Sequence, residues 1–436
     1  MGGIDLLHLV RQASAESGIR DNISNKPISV LGFYVAAISS FAVPVVREVG
    51  GSYQLASIWE VSRYSFQTSA GRLATAFNLI QLSVFVALLI RSVFVKSNKH
   101  LLLTLTAIGG FIVYNVIEVV GYHHDLSTAL FGSVSTTLFL IPLFPLLGED
   151  ADLILVARKA APVMALTGMI LSLVFAARFQ LTCGIGSTVG WCPARDLFSY
   201  SICSLWAAVC LLDEKELSYS KRITLCCLMA LIALLLSVRS WVIQASALAI
   251  YCSLFSSSES AGSKTRRVVM AFFVALAVVA VSSQIAPEVF ETFSERIFDD
   301  TRSGQYETFF AQVNPTALIA GEGATAGYQY GNNANYLFFD NQFIYLSFHF
   351  GLIPVICLAW TLFRTIFVKR DAAGERNRDQ LFCALLYVLA LCGLSTFFSY
   401  EINVGIVLFF LALGYRFPVK TNKSSRIKME NANGGQ

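Results

Sequence analysis

The sequence predicts an all-α polytopic membrane protein of about twelve transmembrane helices, with both termini cytoplasmic and one large outer loop between the ninth and tenth helices. Three observations carry this prediction. Only 14% of the 436 residues are charged and 55% are hydrophobic, whereas soluble domains carry about 25% charged residues. Apolar stretches recur along nearly the whole chain at a length that suits a bilayer core of about 30 Å, which takes about 20 residues per helix. The lysines and arginines also segregate to alternate connecting segments. A soluble enzyme and a disordered protein are thereby excluded. The net charge of +4 is too small and too scattered for a nucleic-acid footprint, so no nucleic-acid partner is expected.

In chain order, residues 1–27 form a polar cytoplasmic segment. Within it, residues 2–11 read as a short amphipathic turn on the membrane surface. This segment leads straight into the first span, which serves as the insertion signal, and no cleavable signal peptide is expected. The predicted spans are Ile28–Val46, Leu73–Val95, Leu101–Gly121, Ser127–Leu147, Ala160–Ala177, Leu197–Leu212, Ile223–Val238, Ser240–Phe255, Val268–Ile285, Gln342–Phe367, Leu381–Phe398 and Ile402–Phe417. The stretches on either side of Arg239 total about 33 residues, and at 1.5 Å each a single helix would overshoot the bilayer. We read them as a tight hairpin with Arg239 at its tip, with eleven spans as the alternative count. Residues 28–285 thus hold spans one to nine, 286–341 the large outer loop, 342–417 spans ten to twelve, and 418–436 a cytoplasmic tail.

Orientation follows from the cations. With the N-terminus inside, every lysine falls on the inner side, and the outer side keeps only Arg47, Arg63, Arg72, Arg178, Arg195, Arg239, Arg296 and Arg302. In the large loop, Val289–Phe298 places apolar side chains at helical spacing and predicts an interfacial helix. The smaller outer loop Arg47–Arg72 contains Trp59 and Tyr64 and is expected to lie along the surface. Eight of the ten cysteines lie within spans as small apolar residues. Cys183 and Cys192 bracket an outer loop where an oxidising compartment permits a disulfide, although sequence does not establish the geometry. No metal-ligand spacing is visible, and no cofactor is expected.

Ionisable groups within a span cost a few kcal/mol, so each needs a reason. Here they gather at the outer ends of helices: Glu118, then His123, His124 and Asp125; Gln244 and Gln284; Asp340 and Asn341; and Glu401. A transporter of polar solutes needs polar groups near the midplane, so this pattern favours binding or chemistry at the outer face. Glu118 has two readings, a local hydrogen bond near the interface or a functional carboxylate. Adjacent histidines on a short turn point apart, so His123, His124 and Asp125 read as ordinary interfacial residues rather than a metal site. His349 reads as a helix–helix hydrogen bonder. Tyr328, Tyr330, Tyr336, Phe338 and Phe339 either stack on sugar rings or belong to the membrane interface. Arg239 and Arg302 stand out because a guanidinium offers a planar fork of donors to phosphate oxygens and keeps its charge. An outer face using arginine alone fits phosphate or pyrophosphate binding, although positive-inside bias also removes lysines. Two arginines on one pyrophosphate would stabilise a leaving group without a metal.

Several motifs now fall into order. They are Arg302-Ser303-Gly304-Gln305-Tyr306-Glu307, then Asn314-Pro315 leading to Gly321-Glu322-Gly323, then Asp340-Asn341-Gln342-Phe343, then Gly351-Leu352-Ile353. Ser237-Val238-Arg239-Ser240 precedes them. Together they resemble the O-antigen ligase and polymerase superfamily, over about residues 220–360 by motif and over the whole chain by topology. The resemblance implies a GT-C-like membrane glycosyltransferase acting on lipid-linked donors at the periplasmic face of the bacterial inner membrane, with no metal. Ligases of that group typically show His-Asn where this chain has Asp340-Asn341, so a polymerase of O-antigen or a related surface polysaccharide is preferred. Transfer of glycan to lipid A–core by a ligase is the alternative. The implied partners are an undecaprenyl-pyrophosphate-linked oligosaccharide and membrane lipids, together with a chain-length regulator and a flippase.

On this reading Arg239 and Arg302 clamp the donor pyrophosphate, and the acceptor hydroxyl attacks the anomeric carbon. Asp340 first, and Glu322 or Glu118 next, accepts the proton. Gly321 and Gly323 admit close backbone approach or form a turn. Tyr306 and Asn341 complete the substrate-binding set, and the helix Val289–Phe298 roofs the site against water. Twelve spans with both termini inside also fit a transporter or lipid-linked sugar flippase. Against those stand the lack of a large loop between spans six and seven, of a repeat and of midplane charge. A peptidoglycan-building glycosyltransferase is a further possibility, although its acidic outer-loop residue cannot be placed here.

Overall fold

The computed structural model describes residues 26–50, 69–96, 101–131, 135–183, 193–213, 216–236, 238–255, 280, 287, 301–331, 333–336, 339, 341–364, 378–394 and 402–415. These are predominantly helical, with one short β-hairpin. Four helices are long and apolar enough to cross a membrane: Ser29–Gly50, Gly71–Ser92, Thr104–Gly121 and Ala151–Phe179. Their apolar side chains do not all turn inward, because Leu31, Ile38, Ile112, Val113, Val163 and Ile170 are all exposed. A soluble monomer rarely leaves so much contiguous apolar surface in water, whereas a helix that is apolar on every side suits a lipid environment. The chain is a membrane-embedded, mainly helical protein. Apart from Ala280, the predicted span Val268–Ile285 lies outside the described residues, as do the loop helix Val289–Phe298, Trp59, Tyr64, Glu401 and the side chains of Cys183 and Cys192.

Helices α1 (Lys26–Gly50) and α2 (Ser69–Lys96) pack on each other, as do α5 (Ala151–Cys183) and α6 (Pro193–Leu211). Helix α3 (Leu101–Val116) lies between these pairs in sequence and runs on into a π-helical turn, Ile117–Gly121. The stretch around Arg239 forms two helices packed together, α7 (Tyr219–Leu235) and α8 (Arg239–Leu254), so Arg239 opens the second of them.

The fourth and tenth predicted spans are not single continuous helices. Residues of the fourth form a short helix, α4 (Leu126–Phe131), followed by a 3₁₀ run of 14 residues, Thr136–Glu149. Pro142 and Pro145 lie inside that run. Each lacks an N–H and crowds the carbonyl four residues back, which disfavours regular α geometry. A 3₁₀ coil rises about 2.0 Å per residue, so the run reaches about 28 Å with fewer residues than an α-helix needs. The tenth predicted span breaks at Gly351 into α11 (Gln342–Phe350) and α12 (Leu352–Phe363).

The last helix, α14 (Val404–Gly414), is wholly buried and packs against α6 and the 3₁₀ run. Around it the Phe409 ring lies 5.3 Å from Trp206 and 5.2 Å from Tyr387, centroid to centroid. Its first turn is capped from two sources. Asn403 Oδ1 accepts the Ile406 N–H at 3.0 Å, and Ser40 Oγ of α1 accepts the Val404 N–H at 3.1 Å. Ser40 also bonds Gln81 of α2, which donates to Asn78 at 2.9 Å. A chain of neutral polar groups thus fixes α14 against α1 and α2.

Arg222, buried near the start of α7, donates to the carbonyls of Leu217, at 3.1 Å, and Leu212. It lies 3.6 Å from the Asp379 carboxylate, on helix α13 (Arg378–Leu389). Asp379 also accepts the Tyr251 hydroxyl of α8 at 2.7 Å, so three helices meet in one tie. Arg222→Met is expected to destabilise the protein by about 1–3 kcal/mol, read as a lower melting midpoint in detergent. Adding Asp379→Asn should cost little more, since both remove the same tie. Fully additive losses would contradict a shared interaction.

Candidate functional site

The motif-bearing loop is built on an aromatic core. Phe309, on helix α9 (Thr301–Gln312), is fully buried, with ring centroids 4.9 Å from Tyr328, 4.7 Å from Phe339 and 5.2 Å from Phe348. Tyr328 opens strand β1 (Tyr328–Tyr330), which pairs antiparallel with β2 (Asn333–Tyr336). The Gln312 side chain donates to the Gln329 carbonyl and accepts its N–H, both at 2.9 Å, acting as a further strand edge. Tyr328 and Phe339 are therefore core residues rather than sugar platforms. Tyr330 and Tyr336 are half-buried, and Phe338 lies outside the described residues. Tyr306 is half-buried with its ring 4.7 Å from Phe339.

Helix α10 (Pro315–Ala320) starts with an Asn314 cap that accepts the Thr316 N–H at 3.0 Å, followed by proline at the first helical position. It delivers Gly321 onto the break between α11 and α12. Gly321 and Gly351 both take positive φ, +86° and +83°. A Cβ on Gly321 would lie 2.7 Å from the His349 oxygen, and one on Gly351 would lie 2.5 Å from the Ile319 oxygen. The two backbones cross at a distance only glycine permits.

The crossing also completes the hydrogen bonding of the break. The end of a helix leaves carbonyls without partners. Here Phe348 O accepts the Glu322 N–H at 2.8 Å, His349 O the Gly323 N–H at 3.0 Å, and Phe350 O the Tyr114 hydroxyl at 2.8 Å. His349 is buried, and its Nδ1 donates to Gly323 O at 2.9 Å, so it binds the loop backbone. Asn341 caps α11, its Oδ1 accepting Phe343 N–H at 3.0 Å and Ile344 N–H at 3.3 Å.

Glu118 meets this loop from α3. The π-helical turn, a feature often found at functional sites, presents a carboxylate that is 1% exposed. Its two oxygens lie 3.1 and 3.2 Å from Ala324 N, and Oε2 lies 2.8 Å from His124 Nδ1. We assign this bond as the Nδ1–H donating to the carboxylate oxygen. That leaves the Nε2 lone pair facing Thr325 Oγ at 2.7 Å. Tyr122 stacks on the His124 ring at 6.0 Å and donates to Gly321 O at 3.2 Å. Burial, with the Glu118 and Glu322 carboxylates nearby, pushes the Tyr122 phenol above its ordinary value and keeps it a donor. Gly323 lies against the Tyr122 ring, and the Glu322 side chain is exposed.

The structure thus brings Glu118, Gly321, Glu322 and Gly323 together with His124, and adds Tyr122 and Thr325, which the sequence did not single out. His124 is a correction: it was expected to be an ordinary interfacial residue, and it is instead fixed between two loop-bound partners. Arg239 and Arg302 occupy the first turns of α8 and α9, but their side chains, and Asp340 altogether, lie outside the described residues. Among the other arginines assigned to the outer side, Arg178 donates to Glu48 O at 3.1 Å and Arg47 lies 4.0 Å from Asp196. These two are interhelical ties rather than open phosphate ligands. Among the described residues, no group of three or more His, Cys, Asp and Glu is placed to hold a metal.

In comparisons with known proteins, no family model, curated protein or solved structure matched the chain.

Gly321→Ala is expected to destabilise the docked loop by about 2 kcal/mol or more, through the positive φ and the backbone clash. Hydrogen exchange should then speed up at the Glu322, Gly323 and Ala324 amides. Unchanged protection there would contradict the crossing.

Proposed function

We propose that the chain is an integral-membrane glycosyltransferase that polymerises undecaprenyl-pyrophosphate-linked oligosaccharide repeat units into O-antigen or a related surface polysaccharide. It would act at the periplasmic face of the bacterial inner membrane, with about twelve spans. The observation that carries this proposal is the docking of the loop that bears Asn314-Pro315, Gly321-Glu322-Gly323 and Asn341 onto a broken helix at one end of the apolar helices. Glu118 and Tyr122 lie at the end of the apolar helix Thr104–Gly121, where a lipid pyrophosphate headgroup would be met, and a discontinuous helix gathers polar backbone suited to a polar ligand.

Arg239 and Arg302 would bind the donor pyrophosphate and offset the charge that grows as it leaves. The acceptor hydroxyl would attack the anomeric carbon, with Asp340 and Glu322 beside it and Tyr306 and Asn341 supporting the loop that holds them. Glu118 is already fully engaged by Ala324 and His124, which suits positioning better than direct proton transfer. Preference for polymerase over ligase rests on Asp340 standing where ligases carry histidine.

Transport is the second reading, favoured by the same broken helix and by the buried Ser40, Asn78, Gln81 and Asn403, which line up across helices. Surface polysaccharide from a strain lacking the protein, separated by size, distinguishes the readings. Single repeat units on the core without a ladder are expected. Long glycan held on undecaprenyl pyrophosphate with bare core would indicate a ligase, and an unchanged ladder would remove both. Arg239→Ala and Arg302→Ala should each abolish chain growth at normal protein levels, and wild-type chain lengths in both would refute the pyrophosphate clamp.

A further inference from the structure

Glu118, His124 and Thr325 form a relay that runs from the interior to the surface. The Glu118 carboxylate is 1% exposed, the His124 side chain is 19% exposed, and Thr325 is exposed. Glu118 Oε2 holds His124 Nδ1 at 2.8 Å, and His124 Nε2 meets the Thr325 hydroxyl at 2.7 Å. The second distance lies within the 2.6–3.2 Å reach over which a general base takes a proton. Thr325 is exposed on the outer side of this network, and the remaining groups are held from behind. Ala324 N–H fixes the carboxylate, and Tyr122 stacks on the imidazole.

We propose that His124 Nε2 is the general base of the glycosyl transfer, and that the Thr325 hydroxyl marks the position an acceptor sugar hydroxyl occupies during reaction. This rests on the glycosyltransferase reading above and adds a base to it. In the step, the acceptor O–H bond breaks and its proton passes to His124 Nε2. The oxygen forms a bond to the anomeric carbon of the donor as the bond from that carbon to the pyrophosphate oxygen breaks. The electron pair leaves with undecaprenyl pyrophosphate, and the imidazolium later returns its proton to water. Glu118 is a positioning residue: its hydrogen bond to Nδ1 fixes the tautomer and orientation of the ring.

The test uses the full chain in lipid nanodiscs, supplied with undecaprenyl-pyrophosphate-linked repeat units from a strain lacking the protein. Released undecaprenyl pyrophosphate and glycan length are measured. His124→Gln is expected to slow release by about 100-fold or more, and added imidazole should restore part of the rate to His124→Ala. In the wild type, release should be slower in D2O than in H2O, because the acceptor proton is in flight to His124 during the step. The charged and titratable groups around the ring are Glu118, Tyr122 and Glu322, with His123 and Asp125 flanking it in sequence.

Retention of the rate within about threefold in a folded His124→Gln protein would overturn the base while leaving the glycosyltransferase standing. A glycan trapped on Thr325 would also overturn it, because His124 would then activate a protein nucleophile. Should His124→Gln fail to fold, the wild type decides, and equal rates of release in H2O and D2O would overturn the proposal. If the wild type releases nothing, the glycosyltransferase reading itself falls, and the base with it.

Discussion

Two backbones crossing at Gly321 and Gly351 hold the described part of the loop to the membrane helices. A helix that stops inside an apolar environment strands its last carbonyls, and within a bilayer no water is available to satisfy them. Here the stranded oxygens of Phe348, His349 and Phe350 are taken by two loop amides and the Tyr114 hydroxyl. The loop in turn finds acceptors for its own amides, including the Glu118 carboxylate for Ala324. The break and the loop therefore satisfy each other, and neither is affordable alone. That mutual dependence fixes Thr325 relative to α3, although the two are far apart in sequence.

The same constraint divides labour among the acidic residues. A carboxylate as buried as Glu118 needs donors on both oxygens, and it has them in Ala324 and His124. It is committed to holding the loop and the ring, and the ring nitrogen on the outer side, His124 Nε2, meets the exposed Thr325 hydroxyl. Arg47 and Arg178 make the corresponding point for the cations, since both are held by acidic residues or a carbonyl at helix ends. An arginine on the outer side is thus not by itself a phosphate ligand. Arg239 and Arg302 carry that role by proposal, from their places at the starts of α8 and α9.

Hydropathy and span length made the helical, membrane-embedded character legible, and the length argument separated α7 from α8 at Arg239. Local geometry inside apolar runs was not legible. The run Thr136–Glu149 looks like any other span until the two prolines are allowed to tighten it into 3₁₀ form. Gly351 is flanked by apolar residues on both sides, so no change in hydropathy marks the break. Asn314 and Asn341 were noticed as parts of motifs, and their cap chemistry was readable from an Asn placed just before a helix. The Glu118–Ala324 and His124–Thr325 contacts join residues about two hundred positions apart, where single-sequence pattern carries no signal. The spacing of Glu118 and His124 around one helix end was the only local hint.

On the proposed function the protein lengthens lipid-linked glycan rather than moving it. Sealed proteoliposomes holding undecaprenyl-pyrophosphate-linked repeat units in both leaflets distinguish the two, with the mass of the lipid-linked glycan followed over time. Masses should rise by whole repeat units, with one undecaprenyl pyrophosphate released per bond formed. Glycan of unchanged mass that redistributes between the leaflets would contradict that reading.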